Sequence, residues 1–144
     1  GTYEENLVIS KDNLTLIGES PNDVIVTSSS GETVSISSTY QVNLYNLDII
    51  STSTSVGDSA VAHGYISGMK KKNNIINCVI ESDTYGVKGG GNYHIEDTII
   101  RSKNPAVYLD GVVSHGTFKT SHAEVEYCDI IQKDTGGTDK TGIK

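Results

Sequence analysis

Tryptophan is absent from this 144-residue chain, and phenylalanine, methionine and arginine (Arg101) occur once each. Eleven lysines and arginines face eighteen acids, a net charge of −7. A protein that grips a nucleic-acid backbone needs a basic face, so that class is excluded. No apolar run approaches the roughly 20 residues of a membrane-spanning helix, so membrane insertion is not expected. Two cysteines leave the redox compartment open. Apolar residues at helical spacing are missing from every window of about eleven residues.

What remains is β-branched residues, Ser, Thr, Asn, eight Tyr and fifteen Gly, a composition of strands and turns. Strands are predicted over 7–9, 14–17, 24–27, 33–36, 42–50, 60–63, 75–81, 86–87, 93–100, 106–109 and 123–131. Breakers separate them, among them Ser20-Pro21-Asn22-Asp23, Gly89-Gly90-Gly91 and Lys103-Asn104-Pro105.

One pattern recurs. Leu44-Tyr45-Asn46-Leu47-Asp48-Ile49 aligns with Ile75-Ile76-Asn77-Cys78-Val79-Ile80, with Ile95-Glu96-Asp97-Thr98-Ile99-Ile100 and with Val125-Glu126-Tyr127-Cys128-Asp129-Ile130, at steps of 31, 20 and 30 residues. Steps of this size point to a solenoid, whose units bury their apolar faces only by stacking. An antiparallel sandwich would want tight hairpin dipeptides, and Asp110-Gly111 stands alone. The fold class is therefore all-β, a right-handed parallel β-helix. Its interior is expected to hold one column of Leu47, Cys78, Thr98 and Cys128 and another of Ile49, Ile80, Ile100 and Ile130. Both cysteines should be free and buried, since two coil steps of about 4.8 Å exceed disulfide reach. Asn46, Asn77 and Asp97 are candidates for a stacked ladder, or are simple turn residues.

Gly1-Thr2-Tyr3-Glu4-Glu5-Asn6-Leu7-Val8-Ile9 followed by Asn13-Leu14-Thr15-Leu16-Ile17-Gly18 resembles the first coil of the pectin methylesterase family, within the wider pectin-lyase-like superfamily. Ser59-Ala60-Val61-Ala62 resembles that family's Gln-Ala-Val-Ala. The run from Asn77-Cys78 to Asp83-Thr84-Tyr85 resembles its Asn-Cys to Gln-Asp-Thr-Leu-Tyr segment. The similarity spans most of the chain and implies the β-helix fold. For the activity the departures decide. Ser59 and Ser82 stand where the resemblance implies oxyanion-binding glutamines, and Asp83 matches the acid/base Asp. Asn104-Pro105-Ala106-Val107-Tyr108 carries no Asp where the nucleophile belongs, and no arginine lies beyond Ile131. Without a carboxylate nucleophile no acyl-enzyme forms, and without the amides the oxyanion loses its donors. Esterase activity is not expected.

Asp83, Arg101 and Asp110 remain as catalytic candidates: Asp83 with Asp97 as a glycosidase-type carboxylate pair, or Asp110 with Arg101 and Lys103 as the base and charge clamp of a lyase. Each set also reads as ordinary surface charge. His63, His94, His115 and His122 lack short metal-ligand spacing, so no metal or other cofactor is expected. Lys70-Lys71-Lys72 reads as a solvated turn or a grip on an acidic glycan, and Asn13-Leu14-Thr15 matches a glycosylation sequon. Tyr45, Tyr85, Tyr93 and Tyr108 lie in or beside the strand repeats, where an exposed tyrosine line would stack on sugars. Ile50, Ile99 and Ile131 are candidates for a lateral contact.

Two functions follow. One is an extracellular, cell-surface or virion β-helix module of adhesin or tailspike type, which presents a rigid face to polysaccharide or to other subunits, as in a homotrimer. The alternative is a carbohydrate-active enzyme of pectin esterase or lyase type acting on an acidic polysaccharide. The chain is expected to be one β-helix domain, residues 1–144, cut from a longer protein whose flanking parts or self-stacking cover its ends.

Overall fold

A computed structural model describes residues 1–37, 41–64, 72–109, 112–114, 117–119 and 122–133. All its regular elements are strands. The first coil consists of β1 (Thr2–Glu4), β2 (Leu7–Ile9) and β3 (Leu14–Ile17). The second is β4 (Ile25–Ser28), β5 (Val34–Ile36) and β6 (Val42–Tyr45). The third is β7 (Asp48–Ser51), β8 (Ser59–His63) and β9 (Lys72–Ile76). The fourth is β10 (Val79–Ser82), β11 (Tyr85–Gly89) and β12 (Asn92–Glu96). The fifth contains β13 (Ile99–Ser102) and β14 (Val107–Leu109), a ribbon of β15 (Val112–Ser114) and β16 (Thr117–Lys119), and then β17 (His122–Glu126). With β18 (Asp129–Gln132) a sixth coil begins.

Successive coils stack into three parallel sheets. Sheet A has the order β1-β4-β7-β10-β13-β18, sheet B β2-β5-β8-β11-β14, and sheet C β3-β6-β9-β12-β17. The chain is a parallel β-solenoid. Only the β15–β16 ribbon is antiparallel among the described strands. The sequence pattern signals neither this ribbon nor β1.

The register reproduces the repeat. Leu44 pairs with Ile75, Ile75 with Ile95 and Ile95 with Val125. Ile49, Ile80, Ile100 and Ile130 stand in one column of sheet A. The first three of these isoleucines are fully buried, each contributing about 1.5–3 kcal/mol by burial. Leu47, Cys78 and Thr98 are buried as expected, and both cysteines are free. Cys128 departs from the expectation: it is only partly buried, because β17 and β18 are the outermost strands of their sheets. Burial pushes the Cys78 thiol up to about 11, against backbone hydrogen bonds that pull it down.

Four predicted strands (42–50, 75–81, 93–100 and 123–131) each break in two at a corner. The corner residues Asn46, Asn77, Asp97 and Tyr127 have φ of 55°, 52°, 48° and 53°, the left-handed region that Asn and Asp tolerate best. A ladder does form here. Asn77 Nδ2 donates to Asn46 Oδ1 at 2.9 Å, and Asn46 Nδ2 donates to the Gly18 carbonyl at 3.2 Å. Asp97 occupies the next rung, and its carboxylate has no N–H to extend the series. Asp97→Asn is expected to add one rung and to stabilise the fold by about 0.5–1.5 kcal/mol. A thermal melt should show a midpoint higher by about 2–4 °C; an unchanged or lower midpoint would contradict the ladder assignment.

The interior is not wholly apolar. Ser28, Ser51, Ser82 and Ser102 form a buried column where sheet A ends. Ser28 Oγ shares a hydrogen bond with Thr33 Oγ1 at 2.8 Å, Ser82 Oγ with Thr84 Oγ1 at 3.2 Å, and Ser102 Oγ donates to the Asn104 carbonyl at 2.6 Å. Two of the four serines thus pair with threonine hydroxyls at the corner between sheets A and B, while Ser51 Oγ is buried without a hydrogen-bond partner.

Candidate functional site

Residues two apart on a strand share a face, and this rule sorts Tyr93 and Tyr45; Tyr85, at the start of β11, shares parity with the buried Val87 yet is itself only partly buried. Tyr93 lies on the same side of β12 as Ile95 and is fully buried. Burial drives its hydroxyl far above the usual tyrosine range, and the hydroxyl donates to the Lys88 carbonyl at 3.3 Å. Tyr93 is therefore a core residue and not part of a stacking face. Tyr45 points outward from sheet C, between Ile17 and Ile76 in the register. Tyr85 and Tyr108 belong to sheet B. The expected single line of tyrosines is replaced by one pair on sheet B and one isolated ring on sheet C.

The pair is close. The Tyr85 and Tyr108 rings have centroids 5.2 Å apart and are tilted by 45°. Lys88, opposite Tyr108 in the register, holds its ammonium 5.4 Å from the Tyr85 centroid and donates to the Gly57 carbonyl at 2.9 Å. An ammonium held over an aromatic face is a cation–π contact. Val8, Ser35 and Ala62 precede Lys88 and Tyr108 in the same outward column. Small residues thus floor the sheet on one side of the aromatic pair. Lys88 is the site residue that sequence reasoning passed over; its parity with Tyr108 emerges only once β11 and β14 are registered.

The positions matched to oxyanion glutamines do not reach this face. Ser59 and Ser82 are fully buried in the interior. Asp83 and Arg101 lie in one ion-pair cluster at the end of sheet A. Asp83 Oδ1 sits 3.1 Å from Lys103 Nζ and 3.5 Å from Lys133 Nζ. Arg101 Nη1 donates to Glu81 Oε1 at 2.7 Å, and Lys133 Nζ lies 3.9 Å from Glu81 Oε2. Partial burial raises the Asp83 carboxyl, but Lys103 and Lys133 outweigh it and hold the group below the usual carboxylate range. Asp83 is an anion and not a proton donor at neutral pH, and Arg101 is committed to Glu81. Asp97 turns a different corner, between sheets C and A, so the structure does not pair it with Asp83. Asp110, His115, Lys70 and Lys71 lie outside the described residues.

Ile50 and Ile131 share an outward column of sheet A with Glu81 and Arg101. Ile99 stands in the neighbouring column with Val79 and Asp129, so the three isoleucines do not form one stripe. Among the described residues no helix is long and apolar enough to cross a membrane. Compared with protein families, curated proteins and solved structures, the chain matches none of them.

Proposed function

We propose that this chain is a pectin-lyase-like, right-handed β-helix module of an extracellular, cell-surface or virion protein, and that it binds polysaccharide on the outer face of sheet B. The observation that carries this reading is the Tyr85–Tyr108 pair with Lys88 beside it, set on a rigid sheet next to the small side chains of Ser35 and Ala62. Aromatic rings present a broad apolar face and a polar edge, which suits the apolar side and hydroxyl rim of a pyranose. A flat sheet supplies this platform at no ordering cost, and preorganisation favours affinity. A binding role fits the ion-paired Asp83 and Arg101 better than catalysis does.

Isothermal titration against a panel of soluble plant, bacterial and animal polysaccharides tests the reading. The Tyr85→Ala/Tyr108→Ala protein is expected to lose at least tenfold in affinity, about 1.4 kcal/mol, with its melting midpoint little changed. Tyr45→Ala, on sheet C, is expected to bind as the parent does. Equal affinity in the double variant would refute the platform. Methanol release from methylated pectin above the blank would overturn the non-enzymatic reading.

A further inference from the structure

The outer face of sheet C changes character along the solenoid. In the first three coils it carries a neutral column, in which Asn43 Nδ2 donates to Thr15 Oγ1 at 3.1 Å and Asn74 Nδ2 donates to Asn43 Oδ1 at 2.7 Å. In the next two coils the same column holds His94 and then Glu124, directly opposite each other. Each has a partner two residues away on its own strand and on the same face: Glu96 beside His94 and His122 beside Glu124. Two histidines and two glutamates therefore form a staggered patch on adjacent strands, in which His122 lies opposite Asn92 and Glu96 opposite Glu126.

Their geometry is specific. His94 Nε2 lies 3.0 Å from Glu96 Oε2, a hydrogen bond in which the ring donates. The remaining nitrogen, Nδ1, faces Glu124. It lies 3.6 Å from Glu124 Oε2 and is buried without a hydrogen-bond partner. On the other side His122 Nε2 lies 3.9 Å from Glu124 Oε1. At 3.6 Å the ring nitrogen and the carboxylate oxygen are close enough to converge on one cation. At present Lys72, reaching from β9 across β12, puts its ammonium on Glu124 Oε2. The hydrogen bond and charge of this lysine hold the Glu124 carboxyl below the usual range. As the side chains stand, no three His, Cys, Asp or Glu groups among the described residues close around one point.

We propose that His94 Nδ1, His122 Nε2 and the Glu124 carboxylate form a surface site for a divalent transition ion of the zinc, nickel or copper class, which closes when the ion replaces the Lys72 ammonium. Imidazole and carboxylate together suit these ions. His94 Nδ1 lies 3.6 Å from one carboxylate oxygen of Glu124 and His122 Nε2 3.9 Å from the other, each a few tenths of an ångström beyond what two ligands at about 2.0–2.2 Å from zinc require. His122 is 68% exposed, so its ring can turn the remaining distance. The His94–Glu96 bond is the outer carboxylate that fixes the tautomer and orientation of a metal-binding histidine. Because the ligands come from β12 and β17, an occupied site ties the fourth coil to the fifth.

Zinc chloride titrated into the chelator-treated protein, followed by competition with a chromogenic zinc indicator and by thermal melting, tests the proposal. A saturable one-to-one site and a raised melting midpoint are expected. His94→Gln and His122→Ala should each weaken zinc binding at least tenfold, and Glu96→Ala about 10-fold or more. Lys72→Ala should bind zinc more tightly than the parent, because it removes the competing cation; a merely structural ion pair would not give that sign. His122→Ala alters an exposed side chain, so loss of zinc there cannot be put down to unfolding. Absence of saturable binding in both the parent and Lys72→Ala, or unchanged affinity in His122→Ala, would overturn the site.

Discussion

Ile80→Asp is expected to abolish the cooperative thermal transition or to lower its midpoint by about 10–20 °C. Ile80 is fully buried at the centre of the sheet-A column, flanked by Ile49 and Ile100. The substitution removes about 1.5–3 kcal/mol of apolar burial. It also places a carboxyl with no partner in the interior, a further cost of about 3–5 kcal/mol for a charge left unpaired. A domain of this size has about 5–15 kcal/mol in total. Ile80→Val is the control and should cost about 0.5–1.5 kcal/mol. Circular dichroism melts of the two variants check the pair. A parent-like midpoint for Ile80→Asp would show that this residue does not face the interior.

Gly89→Ala is expected to be nearly as damaging, although it adds a single methyl group. Gly89 has φ of +128°, and a Cβ there would lie 2.0 Å from the backbone carbonyl oxygen of His63. That oxygen belongs to the neighbouring strand β8, paired with β11 through Gly89 and His63 themselves. Relief therefore requires a shift of the main chain and loss of ladder pairing. Overpacking and the unfavourable dihedral together should cost about 3 kcal/mol or more. Equilibrium denaturation in urea measures it. Stability equal to the parent would mean that strands β8 and β11 do not approach at Gly89 as described.

Much of the fold was legible because a solenoid repeats its solution. The rungs Leu44, Ile75, Ile95 and Val125 recur with the same neighbours, and the register places them one above another. The corner was hidden inside those same rungs. Asn46 and Asn77 fall inside the predicted strands 42–50 and 75–81 and read as ladder or as turn residues, and their positive φ shows that the chain turns there. Tyr93 was readable in principle: it shares parity with Ile95, so one cannot be inside and the other on a sugar-binding face. The Tyr85–Tyr108 contact was not. Tyr85 opens β11, Tyr108 is central in β14, and the pair is defined only by the cross-strand match of Lys88 with Tyr108. The buried serines defeat a core reading based on apolar residues, because Ser28 and Ser82 are satisfied by Thr33 and Thr84, partners that no linear pattern identifies. The β15–β16 ribbon breaks the coil period and carries no repeat of its own.

The central claim is that sheet B is a polysaccharide-binding face without catalytic turnover. A polysaccharide array probed with the parent and with the Tyr85→Ala/Tyr108→Ala protein, with reducing-sugar release assayed on every glycan that binds, tests it most directly. The account predicts retention of the parent on at least one polysaccharide, loss of that retention in the double variant, and no sugar release. Undiminished retention of the double variant, or product release by the parent, would contradict it.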